Sequence, residues 1–256
     1  MLVSTTYVSL SSVARVNKRK PRAFRSLAAW SAPAVTRPRV TRRQLVTRAL
    51  DVLDDEGFDG LTMRRLAERL GIKAASLYNH VADKDELLAL VADALCEEMS
   101  EPDGAKPWRD QLETVAFQCR TVLMAHRDGA RVLAATAPMG PHRLRLIESV
   151  LRALVGAGFS AAKAADAGFV FNAYVVGFVL DETLGGTRGV ASSKRMREEG
   201  RLWFKALPQE PFPTLVALAD ELVDGPPARR FELGLRALLD GFELRLPRTK
   251  RLRRRA

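Results

Sequence analysis

From residue 41 onward the apolar positions recur every three or four residues. The breaks between them fall at Gly, Pro, Ser, Thr and Asp, which is the punctuation of helices. Thr41-Arg42-Arg43-Gln44 has the form of a capping box, with Thr at the cap and Gln three residues later. It opens a helix striped by Leu45, Val46, Ala49, Leu50, Val52 and Leu53, expected to stop near Gly57. Residues 61–84, LTMRRLAERLGIKAASLYNHVADK, divide into two short helices about Gly71. Thr62 caps the first, and Leu66, Ala67 and Leu70 face inward. Gly71 supplies the positive φ that ends a helix without a Cβ clash. Ile72 and Leu77 pack back on it, so residues 73–80 present small or hydrogen-bonding side chains. Such a helix suits the DNA major groove, where bulky apolar side chains would block approach. A second capping box, Asp83 to Glu86, opens a connecting helix through Leu87, Leu88, Val91 and Leu95.

Beyond residue 100 the pattern predicts a helical bundle. Pro107 starts a helix carrying Leu112, Val115, Ala116, Cys119, Val122 and Leu123, with a break at residues 126–129. A short helix covers 129–135, and Pro141 to Val155 forms an amphipathic one. Ser160 caps a long helix reaching about Thr183. Residues 186–211 read as a polar loop with one short helix near 195–206, and Pro213 to Val223 and Ala228 to Leu246 as the last two helices. The fold class is therefore all-α: a three-helix helix-turn-helix domain followed by a larger helical domain. The boundaries are a basic extension at 1–38, the DNA-binding domain at 39–85, a helical domain at 86–246 and a basic tail at 247–256. Phe169 to Leu180 and Phe231 to Leu246 are apolar around more than one face. One face in the core and one against a second copy would give a homodimer through the helices near 160–183 and 228–246.

Composition sharpens this picture. The chain has 256 residues, 47% of them apolar, and a formal charge of +11. That charge sits at the ends: residues 1–50 hold eleven Lys/Arg and residues 245–256 hold seven, with no acid in either. The stretch between is net acidic, so the basicity belongs to arms that attract polyanions without forming a core. Residues 41–88 carry eight basic and nine acidic groups, so recognition must come from placed side chains. Residues 1–38 share the Arg- and Ser-rich character of a targeting peptide but lack a continuous apolar core; a reading frame begun upstream is an alternative. No uninterrupted apolar run of membrane-spanning length occurs, the nearest being Ala167 to Leu180, which includes Asn172. Cys96 and Cys119 read as reduced thiols of a cytoplasmic core. His80, His126 and His142 are scattered without a catalytic or metal-ligand spacing, so an enzyme is not expected and neither cofactor nor metal is implied.

The string from Thr41 to Met99 resembles the TetR family of regulators. The resemblance is carried by Gly57-Phe58-Asp59-Gly60-Leu61-Thr62, Leu66-Ala67, Gly71-Ile72, Leu77-Tyr78, His80, Lys84 and Leu87-Leu88. His126-Arg127-Asp128-Gly129-Ala130, Gly158-Phe159 and Gly177-Phe178-Val179-Leu180 resemble the tetracycline-repressor subgroup. The resemblance implies that Thr62, Tyr78 and Lys84 hold phosphates and that Arg64 reaches a base edge. Lys73, Ala74, Ala75, Ser76 and Asn79 would face the groove. It also implies an effector site at Val115, Cys119, Leu133, Thr136, Phe169, Ala173 and Tyr174. The subgroup's magnesium–drug ligands do not carry over: Leu133 stands where a His is needed, Val115 and Cys119 replace Asn and Phe, Ser100 a second His, and Ala137 an Arg. Asp181 alone is a poor magnesium site. The expected protein is a dimeric repressor released from a palindromic DNA operator by a small apolar ligand other than tetracycline. The alternative is a constitutive nucleic-acid binder that works through its basic arms.

Overall fold

Thr41 Oγ accepts the Gln44 N–H at 3.2 Å and the Gln44 side chain accepts the Thr41 N–H at 2.9 Å, closing the first capping box. This opens α1 (Arg42–Gly60) in a computed structural model that describes residues 40–184 and 194–246. The basic arms and residues 185–193, part of the expected loop, lie outside the described residues. The helix-turn-helix pair is α2 (Met63–Leu70) and α3 (Ala74–Leu77), and α4 (Lys84–Glu97) is the connector. There follow α5 (Trp108–Ala125), α6 (Gly129–Ala135), α7 (Pro141–Ala157) and α8 (Ala161–Leu184). The last are α9 (Lys194–Lys205), α10 (Pro213–Ala217), α11 (Ala219–Asp224) and α12 (Pro227–Glu243). The fold is all-α, with no strand among the described residues.

Three boundaries differ from the sequence pattern. α1 does not stop at Gly57: the backbone kinks there, at φ 77°, and turns on to Gly60. A side chain at residue 57 would also strike Asp128 Oδ2, 2.7 Å from where its Cβ would lie. The second helix of the pair is a single turn, Ala74–Leu77, with residues 78–80 continuing as a turn. The predicted helix from Pro213 to Val223 is divided at Leu218 into α10 and α11.

The core of the larger domain lies where α7 and α8 meet α5, with α4 against α7 and α6 against α8. α12 joins it through Phe231, which is fully buried, stacked on Tyr174 at 5.6 Å and edge-on to Phe117 and Phe178. The Tyr174 hydroxyl donates to the Phe231 carbonyl at 2.6 Å. Gly234 admits this tyrosine, because a Cβ there would lie 2.5 Å from its hydroxyl. Gly234 therefore serves packing within the chain.

By length and composition α8 could cross a membrane, a test the core helix of a soluble protein also passes. Its Phe171, Val175 and Val179 are buried. Its other face leaves Phe169 76% and Val170 44% exposed.

Cys96 and Cys119 are buried free thiols, and burial pushes both up to about 12. At pH 8 the thiolate fraction is then about one part in ten thousand. Ellman's reagent is expected to leave both unmodified in the folded protein and to titrate both after denaturation in urea. Prompt labelling of the native protein would contradict that burial.

Candidate nucleic-acid interface and effector cavity

The exposed end of the small domain is built by two caps and one buried leucine. Thr62 Oγ accepts the Arg65 N–H at 3.1 Å, and Gly71, at φ 64°, closes α2. Leu77 is the buried anchor of α3, and around it Lys73, Ala75, Tyr78 and Asn79 are exposed while Ala74 and Ser76 are half-buried. Arg64 is 89% exposed and engaged only by a surface pair with Glu68 at 3.2 Å. A pair this exposed contributes little and exchanges readily for another acceptor. Lys84 stands differently from the rest. Its ammonium lies 5.1 Å from the Phe58 ring centroid and 3.4 Å from the Phe58 carbonyl. Arg42 ties the start of α1 to the His80 carbonyl and to Glu86, whose other oxygen accepts the Ala82 N–H. The Asp83 cap accepts the Glu86 N–H at 2.9 Å, so the connector begins in register with the reading end.

Behind this domain, residues 126–131 form a polar seam with the end of α1. The Phe58 N–H donates to Asp128 at 2.8 Å, and the Arg127 N–H to Asp54 at 2.8 Å. The Arg127 guanidinium donates to the Asp55 carbonyl, and His126 lies between Asp54 and Glu98. Arg131 grips Asp59 through both Nη atoms, at 2.8 and 3.0 Å, and covers the Phe58 ring at 4.3 Å. The Arg131 hydrogen bonds hold the Asp59 carboxyl below its usual range. The sequence carried the residues of this seam without showing that they meet.

Among α4, α5, α6, α7 and α8 lies a cavity of about 400 Å³. Val115, Cys119, Leu133 and Phe169 line it as expected, with Met99, Leu146, Ile147 and Phe171 among the further apolar residues. Thr136, Ala173 and Tyr174 are not in the lining. Tyr174 turns toward α12, Ala173 is exposed, and the Thr136 hydroxyl receives the Arg143 guanidinium at 2.8 Å. Arg143 itself is in the lining and was missed, because in sequence it reads as one more polar residue at the start of an amphipathic helix.

Asp93, only 6% exposed, fixes α7 beside the cavity. Gly140 offers no capping side chain, and instead Asp93 Oδ1 accepts the Arg143 N–H at 2.8 Å from α4. A carboxylate at a helix N-terminus meets both free N–H groups and the positive end of the helix dipole. Burial raises the Asp93 carboxyl above its ordinary value, and its hydrogen bonds pull it partly back. The cavity lining contains no carboxylate and no imidazole. Asp181 lies outside the lining, exposed.

A helix-turn-helix unit joined by a capped connector to a hollow helical domain is the architecture of a DNA-binding regulator. Similarity to known regulators runs along most of the described chain. Residues 45–91 match the tetR family of bacterial regulatory proteins, and residues 101–246 the tetracyclin repressor-like C-terminal domain. The Escherichia coli tetracycline repressor protein class A from transposon 1721 is 36% identical over 209 residues, spanning 78% of this chain and 89% of that protein. The Streptomyces coelicolor TetR family protein ActR in complex with actinorhodin superposes with a TM-score of 0.73 at 32% identity, covering 82% of this chain and 99% of that one. BioQ with its double-stranded DNA operator superposes with a TM-score of 0.59 at 28% identity, over 80% and 98%. The chain belongs to the TetR family of transcriptional repressors, and its relatives are regulators, not enzymes.

Asp93→Ala removes the α7 cap, and Gly140→Ala forces a Cβ to within 2.0 Å of the Asp93 carboxyl carbon. Each is expected to cost about 1–3 kcal/mol in urea unfolding. The double variant should cost clearly less than their sum, since Asp93→Ala also removes the clash. Strict additivity would mean that the two sites do not touch.

Proposed function

We propose that this protein is a homodimeric, cytoplasmic repressor that binds a palindromic operator and releases it when a largely apolar small molecule fills the cavity. The observation that carries the reading is the continuous path from cavity to reading end: the lining residue Leu133 lies on α6, and the seam at the start of α6 grips the end of α1. ActR, in complex with actinorhodin, and BioQ, with its DNA operator, support the two halves of this reading by similarity.

Thr62, Arg64, Lys73, Ala74, Ala75, Ser76, Tyr78 and Asn79 form the reading surface. Arg suits guanine, Asn suits adenine, and Ala permits contact with thymine methyls. Lys84 holds the Phe58 end of the unit and adds positive charge near the phosphates. Two copies place their 73–80 segments in successive major grooves, about 34–36 Å apart. The exposed apolar faces of α8 and α12, with Phe169, Val170, Leu233 and Leu244, support dimerisation through these helices. A ligand that favours a shifted α6 weakens DNA binding by its differential affinity for the two arrangements. The lining without carboxylate or imidazole supports an effector other than a magnesium–tetracycline chelate.

Selection of bound DNA from a random pool tests the reading. A palindrome preferred over random sequence by several kcal/mol is expected, and the preference should survive deletion of residues 1–37 and 247–256. Loss of preference with the arms would leave an arm-driven binder instead. Arg64→Ala is expected to cost about 1–3 kcal/mol on the selected site and relax one base position, whereas Lys84→Ala should weaken all sequences alike. Equal loss on specific and random DNA would remove Arg64 from the base-reading set.

A further inference from the structure

The cavity wall is apolar except for two thiols, Asn172 on an exposed stretch of α8, and Arg143. Among the described residues the Arg143 guanidinium makes no ion pair. Nη1 donates to the Thr136 carbonyl at 3.0 Å and to the Thr136 hydroxyl at 2.8 Å, and Nη2 to the Leu133 carbonyl at 3.0 Å. A guanidinium has five N–H donors. Nε–H and one Nη2–H are therefore left without a protein acceptor among the described residues. Nε and Nη2 share one edge of the planar group, and that edge has the spacing that matches the two oxygens of a carboxylate. Asp93 does not take that place: its Oδ1 accepts the backbone N–H of Arg143. Burial drives the Arg143 side chain below its ordinary value, the mark of a cation held away from water with too little counter-charge. An anion delivered into the cavity would supply the missing charge where the dielectric is low and the attraction strong.

We propose that the ligand class of this cavity is an aromatic carboxylic acid, its rings against Leu146, Ile147 and Phe171 and its carboxylate paired with the free edge of Arg143. This rests on the reading of the cavity as the effector site. The volume of about 400 Å³ fits a molecule of two or three fused rings. The pairing also has a route to the output. The three bonds Arg143 now makes hold Leu133 and Thr136, at the C-terminal end of α6. A carboxylate on the free edge draws the guanidinium toward the ligand and so pulls on the bonds that hold the end of α6 opposite the seam.

Anthracene-2-carboxylic acid and its neutral carboxamide, titrated by their fluorescence into the full-length protein, separate the charge from the rings. The acid is expected to bind at least tenfold more tightly than the amide. Arg143→Gln should remove that preference while keeping affinity for the amide, and Arg143→Lys should keep part of it. The acid–amide comparison in the unmodified protein stands even if Arg143→Gln fails to fold. Equal binding of acid and amide, a preference that survives Arg143→Gln, or no binding of either compound would overturn the proposal. The same titrations on DNA recovered from the random pool keep the two readings apart. An Arg143-dependent acid that leaves DNA bound would sink the effector reading and leave this one standing. An amide that binds equally well and releases DNA as fully as the acid would do the reverse.

Discussion

The organisation of this repressor depends on the polar union between residues 126–131 and the end of α1. Its members are carboxylates receiving backbone N–H groups at fixed positions, Asp128 from Phe58 and Asp54 from Arg127, with Arg131 clasping Asp59 over the Phe58 ring. Such bonds are directional, so they set the angle at which the small domain leaves the large one. Individually they are modest and partly exposed. A seam of apolar burial on the same scale would be harder to shift. Gly57 is part of the same constraint: its positive φ turns the Phe58 N–H toward Asp128, and the absence of a Cβ leaves room for that carboxylate.

α6 is a seven-residue helix held by polar groups at both ends. The seam holds its start, and Arg143, itself fixed through its backbone by Asp93 of α4, holds its finish. Between them Val132 is fully buried, and Leu133 lies against the cavity. A short element with replaceable bonds at each end and a cavity at its side can have two discrete arrangements. Burial shifts Asp93 and Arg143 in opposite directions, the carboxyl up and the guanidinium down.

Local signals were legible in the sequence and long-range ones were not. The Thr41 and Asp83 caps, the Gly71 stop and the leucine stripes of α1, α2 and α4 depend on residues within one or two turns, and the structure places them as the pattern implied. At the second cap Glu86 also accepts the Ala82 N–H, one residue before Asp83. The end of α1 was misjudged because Gly57 reads as a terminator until Asp128, seventy residues away, is known to sit against it. On α8, periodicity could not decide which face meets the cavity. Gly168 and Phe171 meet it, while Tyr174 is claimed by Phe231 of α12. Arg143 is the instructive omission. Gly140-Pro141 before it announces a helix start without a capping side chain, so a cap supplied from elsewhere was the one available signal.

The seam, more than apolar packing, ties the DNA-reading unit to the cavity domain. Hydrogen–deuterium exchange on the unmodified protein and on Asp128→Ala tests it directly, because exchange resolves the stability of each helix separately. The variant is expected to lose protection across α1 and α2 while α7 and α8 exchange as before. Unchanged protection in α1 and α2, or equal loss in all four helices, would contradict it.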